Sequence, residues 1–298
     1  MTIAITGASG LIGRRLLSVL GRRNHTLRAL SRRAGVILPP GVALSLWDPR
    51  EGEPAEAALR GSDAVIHLAG ENVAQRWTAS AKRRILESRV AGTRALVRSM
   101  ASLSRPPTAL ICASAVGYYG SRGNETLTEA AAPGAGFLAE VSMAWEREAQ
   151  AAQALGVRVV RMRVGVALDP RGGALQRMLL PFRMGLGGPL GDGRQWMSWI
   201  HIEDLAELFR FAVETPLEGA VNAVAPNPVE NSAFTRELAR ALRRPALLPA
   251  PKFALRALFG EMADALLSSQ RAIPQAAVRA GFQFRFPNLA PALADLLW

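Results

Sequence analysis

The chain begins TIAITGASGLIGRRLL: a short apolar run, then Gly7, Gly10 and Gly13, then an amphipathic run. Few folds accept this order. A strand delivers the turn, the glycines clear space, and the following helix aims its free backbone N–H groups at whatever lies over the turn. Gly7 suits the tight turn, Gly10 lets backbone approach a pyrophosphate, and Gly13 lets helix and sheet pack closely. The spacing is GxxGxxG rather than GxGxxG, but its place after Ile3 and Ile5 and before Leu11, Ile12 and Leu16 points to a bound dinucleotide. The contacts expected from this turn are Gly7, Ser9, Gly10, Leu11, Ile12 and Gly13.

The rest of the first half alternates strands with helices. Strands are expected at Thr2–Thr6, Thr26–Leu30, Val42–Trp47, Ala64–Leu68, Ala109–Ser114 and Val157–Met162. Helices are expected at Leu11–Gly21, a short piece at Ala55–Arg60, a long one at Ala79–Leu103, and Phe137–Leu155. This βαβ rhythm implies an α/β fold with a doubly wound, mostly parallel sheet. It sets Ser31, Asp48, Ala69 and Ser114 near strand C-terminal ends, where such sheets bind ligands. After Leu168 the rhythm gives way to a helix, a Gly/Pro-rich loop and another amphipathic helix, with Val221–Val224 returning to the main sheet. Helices then follow at Phe234–Leu242, Phe253–Leu267 and Pro274–Ala280, and FQFRFP alternates like a strand. The expected division is a cofactor-binding domain over 1–168, a substrate-loop region over 169–225 and a small mixed C-terminal lobe over 226–298.

Bulk properties narrow the function classes. With 298 residues, 49% hydrophobic and 20% charged, the chain has material for a sizeable core and is not disordered as a whole. No apolar run reaches membrane-spanning length and no signal peptide is read at the N-terminus. A lone cysteine, Cys112, excludes an intramolecular disulfide framework and sits in an apolar run as a buried small hydrophobe. A cytoplasmic setting is the expectation. The net charge of +12 comes from scattered arginines rather than a basic tail, so a solvated surface is the plain reading. The expected partner is a small-molecule substrate, with no nucleic acid and no membrane. The three histidines and the cysteine form no pattern with metal-ligand spacing, so no metal is expected.

The second strand ends in Ser31, Arg32 and Arg33, where a cofactor with a free ribose 2′-hydroxyl usually meets a carboxylate. Hydroxyl and guanidinium donors suit a 2′-phosphate instead, which favours NADP(H) over NAD(H). Arg33 has the simpler alternative of an exposed charge. Asp48 is placed to accept from the adenine amino group. Leu68, Ala69 and Gly70 let backbone pass close to the cofactor. Glu71 and Arg89 face ribose or phosphate, or pair within the protein. His67 is expected to be buried. His201 either serves a substrate pocket or fixes a helix start.

The residues GASGLIG at 7–13, SR at 31–32, LAGENV at 68–73, RW at 76–77, SAVGYYG at 114–120 and the long run 179–206 resemble the extended short-chain dehydrogenase/reductase superfamily. The likeness is strongest to its epimerase/dehydratase-like branch sometimes labelled cell-division-inhibitor-like. That branch has its own C-terminal domain, matched here by RRP at 243–245, GEMADALL at 260–267 and GFQF at 281–284. The resemblance implies a Rossmann-type sheet and a Ser/Thr–Tyr–Lys catalytic set. Ser114 fits the first member. Leu138 stands at the Tyr position and Ser142 at the Lys position, so neither can do the usual acid/base work. Tyr118 and Tyr119, the only tyrosines, are the candidates to replace the proton donor. Arg163, Gln195, Trp199 and His201 are the candidate substrate contacts.

The expected function is an NADP(H)-dependent, epimerase-like oxidoreductase acting on a small carbonyl, alcohol or sugar-derived substrate. The alternative is a non-catalytic NADP(H)-binding sensor or interaction protein. A homodimer is an open alternative, since related folds often pair through long helices.

Overall fold

A computed structural model describes residues 1–49 and 56–298. The main sheet is built from β1 (Thr2–Thr6), β2 (Thr26–Ser31), β3 (Val42–Leu46), β4 (Ala64–His67), β5 (Ala109–Ala115), β7 (Arg158–Val164) and β11 (Gly219–Ala223), with the two-residue β6 (Thr126–Leu127) lying outside it. These seven strands run in the order β11-β7-β5-β4-β1-β2-β3, every pair parallel. The chain order reverses between β1 and β4, and this switch point opens the crevice where doubly wound sheets take ligands. Strands β4 and β5 are buried on both faces, as unbroken apolar runs such as AVIH and ALICAS require.

The helices α1 (Leu11–Gly21), α2 (Glu56–Leu59), α3 (Ala79–Ala101), α4 (Phe137–Gln150), α5 (Gly173–Arg183) and α6 (Ile202–Glu214) follow the expected positions. The short piece expected over 55–60 is α2, with Ala55 outside the described residues. Helix α4 stops earlier than expected, and its apolar run continues to Leu155 as a 3-10 turn closed by Gly156 in the left-handed region. The α3 start is capped by the Thr78 side chain accepting from Ala81 N at 3.2 Å. The returning strand is confirmed: β11 pairs with β7 through Val221↔Met162.

The C-terminal lobe holds the two-residue strands β12 (Val229–Glu230) and β13 (Arg271–Ala272), which pair with β9 (Trp196–Met197) and β6. Strands β8 (Val166–Leu168) and β10 (Trp199–His201) pair beside them. Its helices are α7 (Asn231–Leu242), α8 (Lys252–Phe259), α9 (Met262–Leu266), α10 (Gln275–Arg279) and α11 (Leu289–Leu297). Two expectations are corrected. The single helix over Phe253–Leu267 is broken in two at Gly260, whose φ of +61° leaves helical geometry. FQFRFP is not a strand: the N–H groups of Arg285 and Phe286 are captured by the Asp204 carboxylate at 3.0 and 2.9 Å. Its alternate phenylalanines pack instead, Phe282 on Phe211 and Phe286 on His201. Among the described residues no helix is long and apolar enough to cross a membrane.

Candidate active site

The glycine-rich turn is steric in origin. Gly7 takes φ +69°, and a Cβ there would sit 2.8 Å from the Leu68 carbonyl carbon. A Cβ at Gly13 would come within 2.4 Å of the Gly7 carbonyl oxygen. The turn can therefore close on β4 only without side chains. Gly10 caps α1 without a side-chain bond, and the first turn of the helix carries no acid, so its free N–H groups and positive dipole end point outward at full strength. Ser9 is exposed, and its carbonyl oxygen accepts from Arg14 Nε at 2.8 Å. Leu11 and Ile12 are half-buried, Leu11 lying against Gly172 and Gly173 at the start of α5.

The neighbouring edge is held by a buried relay. Thr6 Oγ1 accepts from Leu68 N and Ala69 N, both at 3.2 Å, and so gives its proton to His67 Nδ1 at 2.7 Å. His67 Nε2 then donates to Thr93 Oγ1 at 3.0 Å. Burial, then the nearby Arg89, holds the His67 pKa down to about 4, so the ring is neutral as the relay needs. Arg89 packs against Gly70 and donates to the carbonyl oxygens of Glu71 and Ile85 at 2.9 and 3.2 Å. Its guanidinium lies 4.9 Å over Trp145, so it braces the 68–71 turn from beneath. Burial lowers its pKa to about 10, which leaves it cationic at neutral pH. The Glu71 side chain accepts from Gln75 at 3.3 Å.

At the far end of the crevice, Ser31 Oγ accepts from Arg33 N at 3.1 Å. Arg32 and Arg33 are exposed, and the Arg32 side chain has no partner among the described residues. Asp48 is half-buried just past β3.

The catalytic candidates lie at the end of β5. Ser114 Oγ donates to Glu146 Oε1 at 2.8 Å. Glu146 is buried on α4 and also receives Arg163 through Nε and Nη2, at 2.8 and 3.0 Å, and Arg161 at 3.3 Å. This two-pronged pair compensates a charge that burial alone would forbid. A 3-10 turn over Val116–Tyr119 then carries both tyrosines. Tyr119 is fully buried, donates to Asn222 Oδ1 at 2.7 Å and accepts from Arg163 Nη1 at 2.9 Å. Burial pushes its pKa up. Tyr119 is thus an internal anchor and not a surface able to meet a substrate. Tyr118 is half-buried, its ring lies 3.5 Å from the Arg163 guanidinium, and its hydroxyl has no partner among the described residues. Leu138, at the position where the resemblance puts a tyrosine, packs on Gly117, where a Cβ would meet its own Cβ at 2.9 Å.

The expected substrate contacts separate. Arg163 is beside Ser114 and Tyr118, but its nitrogens are spent on Glu146, Tyr119 and the Glu129 carbonyl. Gln195 is buried and donates to Leu190 O at 3.1 Å, leaving Oε1 without a partner among the described residues. Trp199 is a core residue: it is 0% exposed, packs among Leu168, Leu175 and Phe234, and donates to Asn227 O at 3.0 Å. His201 takes the helix-start reading. Its Nδ1 accepts from Glu203 N at 3.1 Å as the α6 cap, and its ring stacks on Phe286 at 3.9 Å. Its Nε2 faces Asp295 at 3.3 Å, off the line of a proper hydrogen bond. Burial outweighs Asp295 and lowers its pKa to about 4. The residues that reach the tyrosine turn from outside are those of the C-terminal lobe. Ser269 N donates to Ser121 Oγ at 3.1 Å, Gln270 Nε2 to Gly120 O at 2.8 Å, and Arg271 lies 4.3 Å over Trp196.

The family model described as "NAD dependent epimerase/dehydratase family" matches residues 3–224. The chain belongs to this family. A domain of unknown function, DUF1731, matches residues 250–296, within the lobe that carries α8 to α11. The family protein YfhF of Bacillus subtilis is 40% identical over 299 residues, covering 100% of this chain and 98% of that protein. A crystal structure of the human family protein SDR39U1 (isoform 2) with NADPH superposes with TM-score 0.90 at 34% identity, covering 100% of this chain and 99% of that one. A nucleoside-diphosphate sugar epimerase from Corynebacterium glutamicum gives TM-score 0.81 at 38% identity, covering 100% of this chain and 58% of that one.

Proposed function

We propose that the protein is an NADP(H)-dependent, epimerase-like oxidoreductase acting on a small carbonyl, alcohol or sugar-derived substrate. The observation that carries the cofactor is Arg32, exposed just past the end of β2 with no partner among the described residues, in place of the carboxylate that would repel a 2′-phosphate. The cradle fits the group: Gly7 and Gly13 let the turn close against backbone that a Cβ would strike, and α1 presents acid-free N–H groups. The human relative's NADPH complex supports the same choice. When bound, the cofactor supplies hydride exchange at its nicotinamide ring.

The chain's own residues divide the remaining work. Gly7, Gly10 and Gly13 with the α1 N-terminus hold the pyrophosphate, and Ser31 and Arg32 hold the 2′-phosphate. The Thr6–His67–Thr93 relay keeps Leu68 and Ala69 at the cofactor edge. Tyr118 is the group with a hydroxyl free to give or take a proton at a substrate oxygen. Arg163 lies against its ring and steadies negative charge as it develops there. Ser114 is held by Glu146 and orients the turn that presents Tyr118.

The test is NADPH consumption by the purified protein with a panel of aldehydes, ketones and sugar-derived carbonyls. The reading predicts turnover with at least one class, lost in Tyr118→Phe. Leu138 and Ser142 at the usual acid/base positions favour a second reading, a non-catalytic NADP(H) sensor. Cofactor binding without turnover across the panel supports that reading and contradicts the first.

A further inference from the structure

Two segments distant in sequence run side by side on the C-terminal lobe. Leu248 N donates to Gly187 O at 3.2 Å, Ala250 N to Pro189 O at 2.9 Å, and Gly191 N to Ala250 O at 2.9 Å. Helix α5 leads directly into the first segment, and α8 continues directly from the second. The ladder therefore brings the exposed side chains of both into one neighbourhood. Leu180, Met184, Leu186, Leu247, Leu248 and Phe253 are each more than half exposed, Leu247 at 81% and Phe253 at 77%. Leu180 on α5 and Met184, the residue that ends it, lie one helical turn apart on the same face. Single exposed apolar residues need no explanation, but a group of six on adjoining segments marks an interaction surface.

The charge around this group is mostly of one sign, the exposed Asp192 beside Gly191 being an exception. Residues 170–191 contain three arginines and no acid, and residues 238–260 contain four arginines, one lysine and no acid. The nearby acids of α9, Glu261 and Asp264, are taken up by Lys82 at 2.6 Å and Arg256 at 2.9 Å. Arg183, Arg244 and Lys252 are exposed and have no partner among the described residues. A second copy of the chain would set arginine against arginine across a two-fold interface, which disfavours self-association here. Protruding Leu, Met and Phe side chains among unpaired cations match an anionic bilayer. The apolar groups enter the acyl boundary while the cations meet the headgroups.

We propose that this surface is a peripheral docking site for an anionic lipid bilayer. The expectation of no membrane partner rested on the lack of a spanning run, and a surface contact requires none. The test is flotation of the full chain with vesicles of phosphatidylcholine alone, and of equal parts phosphatidylcholine and phosphatidylglycerol. The protein floats with the anionic vesicles, stays behind with the neutral ones, and is released by raised salt. Phe253→Ser with Leu247→Ser weakens binding about tenfold or more. Arg183→Ser and Lys252→Ser each weaken it about fivefold. NADPH affinity of each variant, unchanged, shows that the fold is intact. No flotation, equal flotation with neutral vesicles, or a lipid-free dimer abolished by Phe253→Ser would each overturn the proposal, the last by making the surface a self-interface.

Discussion

The Arg163 guanidinium lies 3.5 Å over the ring of Tyr118. The same guanidinium donates to the hydroxyl of Tyr119 at 2.9 Å, so one cation treats two adjacent tyrosines differently. It stacks on one and bonds the other. The bonded tyrosine is sealed in the fold, and the hydroxyl of the stacked one has no partner among the described residues.

Removing each hydroxyl should therefore give opposite results. Tyr119→Phe leaves Asn222 Oδ1 and an Arg163 N–H without their partner, and should cost about 1–3 kcal/mol by denaturant unfolding. Tyr118→Phe should change stability by less than about 0.5 kcal/mol. It should lower turnover about a hundredfold or more once a substrate is found. Equal stability losses would contradict the assignment.

Glu146 collects Ser114, Arg161 and Arg163 at one buried carboxylate. Glu146→Ala strands a buried guanidinium and should destabilise by about 3–5 kcal/mol. Replacing Arg161, which holds Glu146 by a single 3.3 Å contact, should cost far less. A chemical-denaturation series over these variants orders the two.

Acid should weaken the fold through His67 and His201. Each has a pKa lowered from 6.5 to about 4, mainly by burial. The unfolded chain takes up a proton below 6.5 while the folded ring stays neutral. Stability is thus full above pH 6.5 and falls as pH drops toward 4. The ceiling is roughly 3 kcal/mol for each ring. Thermal melting across this range should fall steadily, and His67→Gln should flatten the slope while lowering the plateau. An unchanged slope would remove His67 as its source.

The periodic parts of the chain announced themselves. β1, the glycine turn and α1 follow from alternation, Gly spacing and an amphipathic run, all local properties. What stayed hidden depends on partners distant in sequence. Trp199 and His201 share a polar, aromatic stretch that reads like a binding wall, yet Phe234 covers the one and Phe286 the other. FQFRFP alternates like a strand, but Asp204 takes its N–H groups before any ladder forms. Glu146 belongs to none of the motifs read from the sequence. Its signal was present, because Ser142, Trp145 and Ala149 put it on the apolar face of α4, where a lone carboxylate demands a buried cation.

The proposed cofactor preference turns on Arg32 meeting a 2′-phosphate at the end of β2. The most direct measurement is titration of the purified protein with NADPH and NADH, repeated with Arg32→Ala. NADPH should bind about ten- to hundredfold tighter than NADH, with that preference lost in the variant while NADH affinity holds. Equal affinity for both nucleotides, or a preference that survives Arg32→Ala, would contradict it.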